Sequence, residues 1–306
     1  MFTWQRKYFI TGILIVCFIC SQNDVFAQKN DDSISLNHAR LYGLTIGGVV
    51  TYSSAMTILY QFWYADYPQS DFHFFDDSRE WEQVDKAGHF FTSYYESVIG
   101  INMLKWSGIK DSRAILYGSL WGILLQAPIE VFDGYSQNWG FSSIDMATNI
   151  GGSLFAYGQQ KLWNEQKIQL KFSFWPSNLA KKRPEVLGST QLEQLIKDYN
   201  AQTYWLSIGI RNIVPSARII PKWLNIAVGY GANDMLGGFS NPDPYQYLTR
   251  YRQLYLSLDV NSLKLKGKHH FVNHLLSAFS FIKFPSPAIE FNTSNSQNIK
   301  LHWIFF

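Results

Sequence analysis

Ionisable residues recur at helical spacing inside otherwise apolar sequence. They form Asp85-Lys86-x-x-His89, Glu130-x-x-Asp133-x-x-Ser136 and Ser142-x-x-Asp145-x-x-x-Asn149. Charged groups among apolar helices are costly unless paired, hydrated or used. Asp85 and His89 stand one helical turn apart. An i, i+4 pair of this kind can hold a metal from one helix face, or let a carboxylate orient an imidazole for proton transfer. Asp145 and Asn149 repeat the spacing, and Glu130 and Asp133 sit at i, i+3. If these helix ends converge, four chemical candidates meet: His89 as general base, Asp85 as its orienter, and Glu130 and Asp145 holding metal or substrate. Lys86, Asp133, Ser136 and Asn149 would line the same pocket as binding groups. Carboxylate oxygens also suit a hard divalent cation, although the residues name neither a metal nor a cofactor. The same residues can instead form a hydrogen-bonded network that fixes helix register. There is no Gly-x-Ser-x-Gly, no His-Glu-x-x-His and no phosphate-cradling loop, so no nucleophile motif supports catalysis.

The elements that would carry these residues read as four helices. Leu41–Tyr64 is nearly uncharged and rich in Gly and Ser, suited to a bilayer span or a buried core helix. A second helix is expected from about Glu82 to Trp106, with Gly108 as its stop signal. A third is expected over Ser112–Phe132, kinked by Pro128, followed by a turn at Asp133-Gly134. The fourth runs from Ser142-Ser143 to about Trp163, with Ser142 as N-cap and Asp145 at the third helical position. From Lys167 to Gly188 the chain is basic and loop-like, and a boundary is placed there. Gln191–Asn200 suits a short helix. Period-two alternation then marks strands at Tyr204–Arg211 and Gln253–Val260, with others expected at Trp223–Tyr230, Phe279–Phe284, Ala288–Asn292 and Ile299–Phe306. Roughly six strands are fewer than the eight or so of a closed transmembrane barrel. The segment Asp198–Trp205, rich in amides and aromatics, suits a turn leading into a strand or a contact to sugar or headgroup. His269, His270 and His274 have weak ligand spacing in a solvated loop.

Composition points to the cell envelope. Aromatics make up 17% of the chain and charged residues 16%, against roughly 25% charged in ordinary soluble domains. Aromatic side chains favour the water–lipid boundary. Arg6 and Lys7, then an apolar stretch from Phe9 to Cys20, then Val25-Phe26-Ala27 read as a signal peptide over residues 1–27, cleaved after Ala27. Cleavage removes both cysteines and lowers the net charge from +3 to +2, because the segment carries Arg6, Lys7 and Asp24. A thiol nucleophile, a disulfide and nucleic-acid binding are thereby excluded.

Taken together, Asp85-Lys86-x-x-His89-Phe90, Glu130-x-x-Asp133-Gly134-x-Ser136, Gly140-Phe141-Ser142-x-x-Asp145 and Asn149-x-x-Gly152 resemble the YfiM-like family. Its members are described as predicted periplasmic lipoproteins with a domain of unknown function. Phe72-His73-Phe74-Phe75-Asp76-Asp77 and Asp198–Ser207 look like the longer Bacteroidetes-type form. The residue before each cysteine, Val16 and Ile19, departs from the lipoprotein signal. A looser similarity is to VanZ-like membrane proteins, through Asp85, Lys86, His89, Glu130, Asp145, Asn149 and Gly152.

The expected architecture is therefore α+β: a bundle of about four apolar helices, residues 36–166, then a small antiparallel β-sheet within residues 189–306. The expected location is the periplasm or the outer membrane of a Gram-negative bacterium. The expected function is a membrane-associated envelope protein with a lipid- or glycan-binding or structural role, its partners being membrane lipid or envelope glycan. The alternative is a metal-assisted or general-base hydrolase or transferase acting on an envelope lipid or glycan.

Overall fold

The computed structural model describes residues 35–65, 68–265, 269–294 and 298–306. The signal peptide expected over residues 1–27 lies outside them. The architecture is α+β, a helical part followed by an antiparallel sheet. The chain divides into two compact units. One reaches to Asp76 and takes in Thr92–Asn164, and the other comprises Asp77–Phe91 and Glu165–Phe306.

The first unit is helical. Helix α1, His38–Leu59, starts on Asn37, whose side chain accepts from the Arg40 amide, and it contains no buried residue. Of the segment Leu41–Tyr64, the part up to Leu59 is therefore unlike a buried core helix, while Tyr64 at its end is buried, and by composition the helix also falls short of a membrane span. Helix α2, Val84–Trp106, enters this unit at Thr92 and ends before Gly108, which takes φ +85°. The single helix expected over Ser112–Phe132 is two, α3 at Asp111–Ser119 and α4 at Trp121–Gly134, separated at Leu120. The break accompanies close packing. A Cβ on Gly118 would lie 2.3 Å from the Ile101 amide nitrogen, so helix and helix approach to backbone contact there. Helix α5, Ser143–Trp163, begins on Ser142, whose hydroxyl accepts from the Asp145 amide at 3.0 Å, as its sequence implies. Asp111–Gly134 is the one helical stretch among the described residues that is long and apolar enough to cross a membrane by length and composition.

The second unit is a six-stranded antiparallel meander: β1 Ile168–Phe174, β2 Gln202–Gly209, β3 Leu224–Asn233, β4 Tyr251–Val260, β5 Ser286–Asn292 and β6 Ile299–Phe305. Strand β1 falls where a basic loop was expected; Ile168, Leu170, Phe172 and Phe174 alternate there with Gln169, Lys171 and Ser173. The strand expected at Phe279–Phe284 is instead the connector that follows a helix, His270–Ala278, which Phe279 caps. That connector still pairs: Phe172 donates to the Phe281 carbonyl and Lys283 donates to the Phe172 carbonyl, at 2.8 and 2.9 Å.

The sheet curls round on itself. In a flat sheet β1 and β4 lie three strand spacings, about 14 Å, apart. Here Lys171 on β1 reaches Asp259 on β4 at 2.8 Å and donates to the Val260 carbonyl at 2.6 Å. The concave face is polar: Asp259 also accepts from Ser207, Asn225 donates to Ser207, and Glu290 accepts from Gln253 and Asn292 and contacts His302. Trp205 fits this interior because Gly229 lies beneath it; a Cβ there would sit 2.6 Å from the indole.

Candidate functional site

The candidate residues divide between the units. Asp85, Lys86 and His89 belong to the second; Glu130, Asp133, Ser136, Asp145 and Asn149 belong to the first.

In the second unit, α2 begins directly after a tight turn at Glu80–Gln83. Trp81, Glu82 and Gln83 take φ of +46°, +49° and +65°. None is glycine, and each left-handed residue costs roughly 1–2 kcal/mol. Packing and ion pairs hold the turn in place. The Trp81 amide donates to the Gly238 carbonyl at 2.8 Å, and the Tyr230 hydroxyl donates to the Glu82 carbonyl. Glu82 pairs with Arg250 and Arg252 at 3.2 and 3.1 Å. The turn sets the direction of the first turn of α2, where the chemistry sits. Lys86 is buried between Asp77 at 2.5 Å and Asp85 at 3.0 Å. The Tyr199 hydroxyl donates to Asp85 Oδ1 at 2.6 Å, and His89 Nε2 lies 3.9 Å from the same oxygen. Burial pushes the Asp85 carboxyl up, but His89, Lys86 and Tyr199 outweigh it and hold it below its ordinary value. Glu80 goes the other way. Burial, then the charges of Asp85 and Asp77, push it up to about 7 against the pull of Lys86 and Arg250. The arrangement is an ionised carboxylate with a cation on one side and an imidazole on the other. It can offer two metal ligands from one helix face, or orient His89.

In the first unit, Glu130, Ser136, Asp145 and Asn149 are buried and Asp133 partly so. Asp133 accepts from the Tyr64 hydroxyl at 2.8 Å. Gln126 donates to Glu96 at 2.8 Å, and Ser97 donates to the Ser119 carbonyl at 2.7 Å and accepts from the Ser153 hydroxyl at 3.1 Å. Ser136 pairs through its backbone with Gln69 and accepts from the Asn138 amide. Ser136 also borders a cavity of about 210 Å³ walled by Tyr60, Tyr64, Phe132 and Tyr135, with Gln69 beside it. Tyr60 and Tyr64 stack at 6.2 Å, and Phe132 meets both edge-on or tilted.

Residues 71–161 match the family model described as predicted periplasmic lipoprotein (DUF2279). No curated protein and no solved structure matches the chain. The matched stretch contains every candidate residue named above, from Asp85 to Asn149, and stops before the sheet. An exported, envelope location accords with that description.

Sequence reasoning missed several participants. Asp77 and Tyr199 complete the charge network around Lys86 and Asp85, and Tyr60, Tyr64 and Tyr135 wall the cavity beside Ser136. Their spacing in the chain carries no local signal. Tyr199 lies 114 residues from Asp85. His270 and His274 fall one turn apart on an exposed helix, with no carboxylate in the loop around them.

Proposed function

We propose that the protein is a membrane-associated component of the cell envelope that holds the polar part of a lipid or glycan without cleaving it. The observation that carries this reading is the cavity beside Ser136. Its aromatic walls offer flat apolar faces for a sugar ring or glycerol backbone, and the Gln69 amide and Ser136 hydroxyl offer directional polar contacts. Helix α1, apolar and without a buried residue, supports membrane association, as does the apolar stretch Asp111–Gly134. The alternative is general-base hydrolysis or transfer, with His89 as base. It is favoured by the i, i+4 placement of His89 and Asp85, and disfavoured by their 3.9 Å separation and by the engagement of Asp85 with Lys86 and Tyr199.

Fluorescence titration of the purified protein with dispersed phosphatidylethanolamine and with a soluble peptidoglycan fragment tests the reading. Saturable binding of one of these, weakened at least fivefold by Tyr135→Ala with an unchanged melting temperature, is expected. Tyr135 is 48% exposed, so its truncation leaves the core intact. Binding of neither, or turnover that disappears in His89→Ala, overturns it.

A further inference from the structure

The six-stranded sheet is inside out. Its residues form rungs across the strands, and the register defines which side chains share a face. One rung reads Leu170, Leu206, Val228, Leu256, Ile289 and Leu301 across all six strands; Leu170 on β1 is buried, and the exposed run extends over β2–β6. A second reads Phe172, Tyr204, Tyr230, Leu254, Phe291 and Ile299; its β1–β3 part is covered by the start of α2, where Phe91 meets Phe172 and Tyr204 and Val84 packs on Tyr204 and Tyr230, so Leu254, Phe291 and Ile299 are its open part. A third, over β1–β4, reads Ile168, Ile208, Ile226 and Leu258. No charged residue stands on any of them. Leu206, Val228, Leu254, Leu256, Leu258 and Leu301 are each between 39% and 60% exposed, and Trp303 at the edge is 78% exposed. The inward rungs carry Lys171, Asp259, Ser207, Asn225, Gln253 and Glu290, all buried. A sheet facing water hides its aliphatic side and shows its polar side; this one does the reverse, as lipid-facing strands do. An apolar surface of this continuity is not left bare in water.

The two ends of the curled sheet also differ. Gly209 pairs with Asn225, Leu224 with Val260 and Ser257 with Ala288, so the β2–β3 and β4–β5 connections emerge at one end. Those connections, residues 210–223 and 261–285, contain no Asp or Glu. They carry Arg211, Arg218 and Lys222, besides Lys264, which pairs with Glu165 at 3.4 Å, and they expose Ile219 at 95% and Phe271 at 64%. Cations interleaved with exposed apolar side chains complement an anionic lipid surface. The opposite end is closed over a hydrophobic core of Leu179, Ala180, Leu187 and Leu236.

We infer that the uncovered part of the convex face, from Leu206 and Val228 across to Leu301 and Trp303, lies against the acyl chains of a bilayer containing anionic phospholipid, with the basic connections at one end among the phosphates. The inference deepens the membrane reading above and rests on it, but assigns a second, separate contact to the sheet.

Vesicle flotation of the chain from Gln28 to Phe306, combined with quenching by phospholipids brominated along the acyl chain, tests it. Vesicles of phosphatidylcholine alone are compared with vesicles containing phosphatidylglycerol. The protein is expected to float with both, about fivefold more tightly per engaged cation with the anionic lipid, and Arg218→Glu with Lys222→Glu removes most of that preference. The fluorescence difference between wild type and Trp303→Phe isolates Trp303, and bromolipid is expected to quench it at least twofold. Leu301→Cys carrying an environment-sensitive dye, in the chain from Gln28 onward, which has no other cysteine, reports the same face if Trp303→Phe folds poorly. Flotation with unquenched Trp303 and an unshifted dye overturns this inference and leaves the membrane reading standing. Failure to float overturns both, as does a dimer that buries Trp303 and ignores vesicles.

Discussion

Glu80 and Asp85 are close together in the chain and in space, and their environments drive them apart. Asp85 has Lys86 and Tyr199 as partners and stays ionised, whereas Glu80 is half-buried among carboxylates and its carboxyl rises to about 7. The sign of the linkage follows. A carboxyl raised above its unfolded value binds more protons folded than unfolded, so its contribution is fully present below about pH 4.5 and is lost as pH rises through about 7. Glu80→Gln removes the titration. The variant is expected to match the wild type near pH 4 and to exceed it near pH 8 by ~1–2 kcal/mol, a figure reduced for solvent screening. Melting temperatures recorded across that range check this, and parallel curves for the two proteins would contradict it.

At the scale of elements, the turn before α2 is the least expected feature. Three successive left-handed residues, none of them glycine, are held by Gly238, Tyr230, Arg250 and Arg252. Strain kept in place by surrounding packing is typical of segments that position working groups, and Asp85 and Lys86 follow immediately. Gln83 is the most permissive of the three, since its side chain makes one hydrogen bond, to the Ser78 carbonyl at 3.0 Å. Gln83→Gly is expected to be nearly neutral, and Gln83→Val to cost about 2 kcal/mol more, because a β-branched side chain tolerates positive φ poorly. Chemical denaturation of the two variants compares them directly, and equal stabilities would show that the turn is not left-handed. Local chemistry made some elements readable beforehand. Ser142 caps its helix through the Asp145 amide, an interaction contained within four residues. The turn at Trp81–Gln83 could not be read this way, because the residues that impose it lie about 150 positions downstream.

For the molecule as a whole, alternation in Tyr204–Arg211 and Gln253–Val260 announces two unlike faces but not which one turns inward. That choice depends on what surrounds the sheet, and the chain encloses Lys171, Asp259 and Lys283 while leaving Leu206, Leu254 and Leu256 outside. The cavity beside Ser136 was illegible for a related reason: Tyr60 and Phe132 meet only after some seventy residues of intervening helix and loop are folded. The enclosed charges give the last prediction. Asp259 is completely buried and faces two cations, Lys171 at 2.8 Å and Lys283 at 4.0 Å, each no more than 1% exposed. Asp259→Ala leaves both lysines without a carboxylate and is expected to cost ~3–5 kcal/mol. Changing all three together, Lys171→Met, Asp259→Leu and Lys283→Met, removes the charges instead of stranding them and is expected to restore most of that loss. Heat denaturation in detergent distinguishes the two outcomes. If the single substitution is as mild as the triple one, the polar interior is filled by water and the curled sheet is an open channel wall, not a packed core.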